Sequence, residues 1–530
     1  MFLHLILLGL SMAWSIHALL QNRINRTTIT TAIVALTLSG APFMTSSVFL
    51  NLIMIVLLGF LVAYLLKKSP RAMQVILTSF TMILIGYSSF AMLMIRAHAD
   101  PPMNENKPDN VFALISYIDR EQYGDRPLGY GQYYNAPVTG VENTRPYYVR
   151  KNGKYVISKY GSKYTYDKNA ETIFPRMYSS QSDHVSVYKD WGKVKGHPVQ
   201  IVNREGKRER IMVPNFGENL RFFFSYQLGF MYWRYFMWNF AGRQNDIQGL
   251  GNSLEGNWIS GIKKLDEKRL GPQDNLPPKY ANNKGRNRYY MLPLLFGILG
   301  MGVQAWKAPK DFWTIVLLFV MTGVAIVVYL NQTPNQPRER DYAYVGSFYA
   351  FSIWVGMGVM FIYHYLQKLL KPVPSAVITT LAGLALVPGI LASENWDDHD
   401  RSGRYTARDL AYNYLNSCKK DAVLFTNGDN DTFPLWYAQE VEGIRTDVRV
   451  INLMLFNTDW YIDQMKRKVY DSDPVPLTLK HDKYVDGTNN MIYLVENEKL
   501  KGYVDMHDAI RFVADNSPGS KLRLQNGEQI

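Results

Sequence analysis

Apolar residues cluster into eight stretches along the chain, at about 1–20, 28–45, 48–66, 72–95, 289–306, 311–330, 345–366 and 375–392. Each approaches the roughly 17–25 residues a helix needs to cross the hydrocarbon core of a bilayer. The stretch 28–45 is the weakest, being Thr-rich and interrupted by Gly40 and Pro42. It reads as a broken or re-entrant helix, which is tolerated when other helices bury it. Two long polar segments, 96–288 and 393–530, separate and follow the apolar groups. The pattern divides the chain into four parts: four spans in 1–95, an insertion over 96–288, four spans in 289–392, and a terminal domain over 393–530.

Charge gives these spans a direction. Four short loops carry nine Lys/Arg (Arg23, Arg26, Lys67, Lys68, Arg71, Lys307, Lys310, Lys368 and Lys371) and a single acid, Asp311, at a span edge. Cations retained in short loops mark the cytoplasmic side. The first stretch has no cationic start, and Arg23 and Arg26 follow it, so it does not read as a cleaved leader. Residue 1 then falls outside, together with 96–288, 331–344 and 393–530. The fold class is a polytopic α-helical membrane protein of about eight spans, with an α+β periplasmic insertion and a C-terminal α/β periplasmic domain. Its place is the bacterial inner membrane, as a multi-pass protein in contact with membrane lipids. The net charge of +13 is concentrated largely in the topological loops, which excludes nucleic acid as the partner. A single cysteine, Cys418, excludes an intrachain disulfide and a multi-cysteine zinc site.

Residues 222–242 qualify this map. They hold eleven aromatics in 21 residues, with Arg234 in the middle. A mid-bilayer arginine is costly, and a ninth span would put Lys307 and Lys310 outside. The segment therefore reads as an aromatic helix in the outer interface, with Arg221, Arg234 and Arg243 toward headgroups, or as a plain buried helix of the outer domain. In the insertion, 147–158 predicts a hairpin turning at Asn152-Gly153, and 112–122 a short amphipathic helix. The stretches 164–169 and 184–191 predict further short strands or loop. The terminal domain alternates a helix (406–418), a buried strand (422–429), a helix (431–443), a second strand (448–456) and a second helix (460–470). This order predicts a parallel α/β unit, with ligands beyond the strand ends near Asn427, Asp429, Asn430 and Asp431.

Three polar motifs carry candidate chemistry. The outer loop 331–344, NQTPNQPRERDYAY, holds Arg338, Glu339, Arg340 and Asp341. Two arginines clamp a phosphate bidentately, and a carboxylate beside them positions a metal or accepts a proton. The bland alternative is a solvated turn. The turn NGDNDTF (427–433) alternates Asp429 and Asp431 as a sugar or calcium site does, but Pro434 and the following helix forbid an EF-hand loop, and helix capping explains the same residues. WDDHD (396–400) offers Asp397, Asp398, His399 and Asp400 to a divalent ion, or simply opens the domain in water. There is no P-loop, GxSxG, HExxH or dinucleotide-binding glycine pattern.

Four longer strings carry a resemblance: 104–137, 232–249, 331–356 and 423–465. Together they resemble the bacterial membrane-protein family known as domain of unknown function 2723, related to polytopic GT-C glycosyltransferases and to protein O-mannosyltransferases. The resemblance implies transfer of a sugar from a polyprenyl-phosphate-type donor to an extracytoplasmic protein or glycan acceptor. It implies donor-phosphate contacts for Arg338, Arg340 and Arg234, a catalytic role for Asp341 or Glu339, substrate or metal contacts for Asp429, Asp431 and Asn427, and leaves a divalent metal ion open as cofactor. The acidic first-loop motif of that family has no counterpart here. The expectation is a fragment, inactive alone, lacking the N-terminal catalytic loop and the C-terminal end. The alternative is a non-catalytic envelope scaffold or a transport component. Few ionisable residues lie within the spans, which disfavours transport.

Reporter fusions test the charge-derived orientation. A fusion after residue 370 is expected to report cytoplasm, and fusions after residues 150 and 420 periplasm. A cytoplasmic signal at 150 would reverse the whole topology.

Overall fold

Asn25 and Ser47 show how the apolar stretches begin. The Asn25 side chain accepts from the Thr28 amide at 2.9 Å and opens the helix Arg26–Leu38. Ser47 does the same for Leu50 at 3.4 Å and opens Val48–Lys68. Both satisfy amides that a helix start leaves without partners. Pro70, Pro309 and Pro372 stand in the first turns of the helices Pro70–His98, Pro309–Thr322 and Pro372–Leu384, where a missing N–H costs nothing. The computed structural model describes residues 2–485, apart from 41, 44–46, 122–123, 125, 152 and 203–207, together with 505–508, 511 and 515.

Five helices are long and apolar enough to cross a membrane: Val48–Lys68, Pro70–His98, Pro309–Leu330, Asp341–Leu366 and Pro372–His399. Three further apolar helices are shorter: Ile6–Leu20, Arg26–Leu38 and Leu292–Lys307. The stretch expected over 28–45 ends as a regular helix at Leu38, and Gly40 follows with φ +88°. Residues 41, 44 and 45 of that stretch lie outside the described residues.

The chain folds as two compact units. One comprises residues 1–122, 420–429 and 446–530. Its helices close around Leu19, Ala32, Leu36, Val62, Leu66, Met73 and Leu77. The segment after Pro70–His98 turns sharply, with positive φ at Asp100, Asn106 and Lys107. It is tied to the helix Asp459–Met465: Gln464 Nε2 donates to the Pro102 carbonyl at 2.8 Å, and Arg467 pairs with Asp100 at 3.1 Å. The expected parallel pairing is present between Val423–Thr426 and Arg449–Asn452. Only the second strand is buried throughout. Val423 and Phe425 of the first are exposed, contrary to the expectation of a buried strand.

The other unit comprises residues 123–419 and 430–445. It opens with three antiparallel strand pairs: Tyr130–Gln132 with Glu171–Ile173, Val138–Lys151 with Lys154–Tyr166, and His197–Val202 with Arg208–Val213. The hairpin predicted around 147–158 is the second of these, with Gly153 at φ +77° in its turn. The stretch 184–191 is not a strand but part of the helix Ser182–Gly192. Its apparent alternation is overridden by helical packing, which buries His184 and Tyr188 on one side.

The aromatic segment forms a continuous helical run from Phe216 to Phe240, with a π-helical stretch over Phe223–Trp233. It occupies the centre of the unit's hydrophobic core. Phe222, Tyr226, Tyr232, Tyr235, Phe236 and Phe240 are buried against residues such as Leu294, Val327, Phe348, Phe351 and Trp354. Ring centroids of Phe240 and Phe351 lie 4.6 Å apart and those of Phe236 and Phe351 4.8 Å apart. An interfacial helix keeps one face in water; here six of the seven residues of Arg234–Phe240 are buried.

The helices Leu292–Lys307 and Val345–Leu366 meet backbone to backbone. A Cβ on Gly300 would stand 1.9 Å from the Trp354 carbonyl oxygen, and one on Gly358 2.1 Å from that of Phe296. Small residues at such crossings let membrane helices pack without a hydrophobic driving force. Trp354 Nε1 then reaches Gln304 Oε1 at 2.7 Å within the same contact. Gly300→Val is expected to cost about 3 kcal/mol or more by forcing the two helices apart. Gly302→Val, a position with nothing within 4 Å of its Cβ, should be silent. Thermal unfolding of the purified protein in detergent separates the two.

Candidate functional site

The loop 331–344 joins two of the candidate spans, Pro309–Leu330 and Asp341–Leu366. Helix ends leave carbonyls without partners, and this unit supplies them from side chains. Arg176 donates through Nη1 to the Val328 carbonyl at 3.0 Å, Arg126 to that of Leu330 at 2.7 Å, and Tyr178 Oη to that of Asn331 at 3.2 Å. Two cations therefore sit at the negative end of a helix dipole. Arg176 is fully buried, with its guanidinium 3.8 Å from the centroid of the Phe174 ring. Burial pulls its pKa down to about 10.

Asn331 is the first anchor of the loop. It takes a left-handed conformation (φ 39°), which asparagine tolerates better than most residues. Its side chain is buried, with Nδ2 donating to the carbonyls of Pro127 and Pro175 at 2.8 and 2.9 Å. Gln227, on the π-helical stretch, donates to Asn331 Oδ1 at 3.1 Å and to the Gln332 carbonyl at 3.1 Å.

Glu339 is the second anchor. Arg234 approaches it bidentately, Nη2 to Oε2 at 2.7 Å and Nη1 to Oε1 at 3.1 Å. Tyr235 Oη donates to Oε2, and the Gly249 amide donates to Oε1 at 2.8 Å. The remaining donors of Arg234 reach the Gly256 carbonyl at 2.6 Å and the Phe230 carbonyl at 2.9 Å. Its guanidinium also lies 3.9 Å from the Phe230 ring centroid and 4.8 Å from those of Tyr235 and Trp238. The loop 242–258 closes over the pair only because it has glycine there. A Cβ on Gly249 would lie 2.5 Å from Arg234 Nη1, and one on Gly256 2.9 Å from it. Burial raises the Tyr235 phenol, the Arg234 charge opposes that rise, and the Glu339 charge adds to it. Tyr235 therefore remains a protonated donor.

The two anchors sort the residues expected at this site. Arg234, expected at headgroups or on a donor phosphate, points inward and has its donors committed to protein acceptors. Glu339, expected as a base, accepts from Arg234, Tyr235 and Gly249 and serves as an anchor. Arg338 is exposed, and among the described residues no carboxylate stands within ion-pair distance of it. Arg340 is half-buried, steadied by Gln336 Oε1 at 3.2 Å and by the Tyr342 hydroxyl at 2.6 Å. Asp341 opens the short helical turn Asp341–Tyr344, and its carboxylate takes no hydrogen bond from the described residues. Among the described residues, the groups of the loop without a charged partner are thus the exposed Arg338, the half-buried Arg340 held by two neutral side chains, and the Asp341 carboxylate.

The other candidates take different places. Asn427 and Asp429 are exposed, and the helix Asp429–Glu440 begins at Asp429 itself. Asp431, also exposed, lies in its first turn. Desolvation and then the charge of Asp429 push the Glu105 carboxyl above its ordinary range. The WDDHD segment continues the helix Ile390–His399. Asp398 and Asn395 there accept from Asn287 at 2.9 and 2.6 Å, and Glu394 accepts from the Arg288 amide at 2.8 Å. This segment clamps a neighbouring strand. Among the described residues no three His, Cys, Asp or Glu side chains form a metal-binding group. The 331–344 loop offers a divalent ion only the uncommitted carboxylate of Asp341, beside two arginines, which is not a fitting donor set.

Sequence reasoning did not find Asn331, Gln227, Tyr235 or the two glycines. One signal was present: an arginine in the middle of an aromatic helix needs a buried carboxylate, and 331–344 contains only Glu339 and Asp341.

Comparisons with known proteins bear on two of the chain's polar segments. Residues 407–530 match the family TMEM260-associated domain 2, and residues 124–224 match a family of unknown function (DUF8416). Each match spans less than half of the chain. No curated protein and no solved structure shows a significant match.

The buried pair yields a stability test. Glu339→Leu leaves Arg234 charged and buried, and is expected to cost about 3–5 kcal/mol. The double substitution Arg234→Met with Glu339→Leu should cost less than the sum of the single changes, because it leaves no orphaned charge. Denaturant unfolding of the four proteins measures the coupling.

Proposed function

We propose that the protein is a membrane-embedded glycosyltransferase-like enzyme whose 331–344 loop holds the phosphate of a lipid-linked sugar donor. The observation that carries this reading is the division of labour in the loop. Asn331 and Glu339 are held by protein partners, while Arg338, Arg340 and Asp341 are presented from a fixed frame. Arginine forks match phosphate oxygens in shape and charge. Further support comes from the apolar helices, which provide contact with a membrane lipid. The match to a domain associated with TMEM260, an O-mannosyltransferase-like protein, fits the same class.

In this mechanism the acceptor hydroxyl oxygen attacks the anomeric carbon of the sugar. The bond from that carbon to the phosphate oxygen breaks, and the phosphate leaves with the electron pair. Arg338 and Arg340 stabilise the negative charge that develops there. Asp341 takes the proton of the attacking hydroxyl, a role that needs an ionised and unpaired carboxylate. The Arg234–Glu339 pair touches none of the reacting atoms and keeps the frame in register. The acceptor is a protein or glycan on the extracytoplasmic face of the bacterial inner membrane, in keeping with the charge-derived topology.

Binding and transfer test separate parts of this reading. Arg338→Lys and Arg340→Lys are each expected to weaken binding of a polyprenyl phosphate to the purified protein by about 10- to 100-fold, the worth of a charge-assisted contact. Asp341→Asn should leave that binding unchanged and lower sugar transfer by about 100-fold or more. Unchanged binding in both arginine variants would reduce the loop to a solvated turn and favour the scaffold role.

A further inference from the structure

The long hairpin Val138–Lys151 with Lys154–Tyr166 stands apart from the core of its unit. Among the described residues its two strands pair with each other and no third strand joins them. Two-stranded ribbons are marginal in water without a surface to cover one face. The register shows which face needs covering. Paired residues share a face, and successive pairs alternate. The pairs Tyr148↔Ile157, Pro146↔Tyr160, Asn143↔Ser162 and Val141↔Tyr164 fall on one side. Two register shifts keep them there: between Asn143 and Pro146 the first strand carries one residue more than the second, and between Tyr147 and Tyr148 the second strand carries one more than the first. The other side carries Tyr147↔Lys159, Glu142↔Lys163 and Val149↔Val156. Lys159 Nζ lies 5.1 Å from the Tyr147 ring centroid, which confirms that those two side chains share a face.

The first side is the richer in tyrosine and aliphatic residues, and the other holds Lys159 and Lys163. That first face exposes Val141 (53%), Ile157 (47%), Tyr160 (53%) and Tyr164 (59%). Contiguous exposed apolar surface of this kind marks an interaction site. Three observations say what covers it. Tyrosine mixed with aliphatic side chains is the composition of segments lying at the headgroup level of a bilayer. The stretch 138–166 carries six Lys/Arg against the single acid Glu142, which suits an anionic surface. Three candidate spans, Pro309–Leu330, Asp341–Leu366 and Pro372–His399, belong mainly to the same compact unit, so a bilayer is tethered within reach.

We propose that this hairpin is a membrane-interface paddle, with its Val141–Ile157–Tyr160–Tyr164 face resting in the headgroup region of an anionic bilayer. The lysines of the opposite face and edges remain in the aqueous layer, within reach of lipid phosphates. The paddle requires no transfer activity and stands independently of the reading of the 331–344 loop.

The test uses the full chain with Cys418→Ser, reconstituted into vesicles of phosphatidylethanolamine and phosphatidylglycerol. A fluorescent probe is attached at Tyr160→Cys, Tyr164→Cys or Lys163→Cys, all on exposed positions of one strand. Nitroxide-bearing lipids are expected to quench the probes at 160 and 164 several-fold more than the probe at 163. Soluble iodide should show the reverse order. Equal quenching at the three positions would overturn the proposal. So would a probe at 160 or 164 that is reached freely by iodide and shielded only when a soluble anionic polysaccharide is added, since the covering partner would then be a glycan. Circular dichroism of each labelled protein confirms that the comparison is made on folded chains.

Discussion

A guanidinium and a carboxylate buried among aromatic rings set the geometry of the larger unit. Removing both charges from water is expensive, and the loss is offset only where every donor and acceptor finds a partner. Arg234 and Glu339 meet that condition. The carboxylate takes four hydrogen bonds, from Arg234 twice, Tyr235 and Gly249. The guanidinium reaches two further backbone carbonyls and lies against three rings. An apolar pair of the same volume would fill the space equally well. It would not fix the angle of the loop or the approach of the 242–258 segment, because dispersion is indifferent to small rotations and a bidentate ion pair is not.

This requirement explains the composition of the aromatic helix. Aromatic side chains present flat faces to a planar cation and keep water out of the site. A helix meant for lipid could have used leucine. The π-helical stretch before Arg234 belongs to the same solution. It widens the turn, so that Gln227 reaches Asn331 while Tyr226 and Tyr232 stay in the core. One helical run thereby touches both ends of the 331–344 loop, once through a neutral amide and once through a charge.

Much of the local structure was legible in the sequence. The Asn-Gly pair predicts its hairpin because that signal acts within a few residues. The parallel pairing of 423–426 with 449–452 was readable from the alternation of strand and helix. What a segment packs against was not readable. The helix at 184–191 looked like a strand because its tyrosine and valine positions suit either period. The aromatic run reads as interfacial because a mid-bilayer arginine is costly and a ninth span would reverse the loop charges; the carboxylate that lets Arg234 be buried lies about a hundred residues later in the chain. The same limit applies to the site. The sequence Arg-Glu-Arg-Asp shows four charged groups, but packing decides that Glu339 holds the loop while Arg338 stays exposed.

The larger unit uses its buried cations consistently. Arg176 and Arg234 both lie inside, both bond backbone carbonyls, and both stack on phenylalanine. Only Arg234 has a carboxylate, and only Arg234 holds a loop that departs from a helix; Arg176 holds the end of the helix itself. A helix terminus already offers a fixed partial negative charge, so a cation there needs no acid. A loop offers none, and must carry its own. Glu339 is that acid, and its placement between Arg338 and Arg340 has a consequence for the chemistry. Were Glu339 free, it would neutralise its neighbours and repel a phosphate. Turned inward onto Arg234, it leaves the exposed Arg338 and the half-buried Arg340 without that acid, and Asp341, two residues on, as the loop acid that takes no hydrogen bond from the described residues. The anchoring of the fold and the charge of the candidate site are thus set by the same side chain.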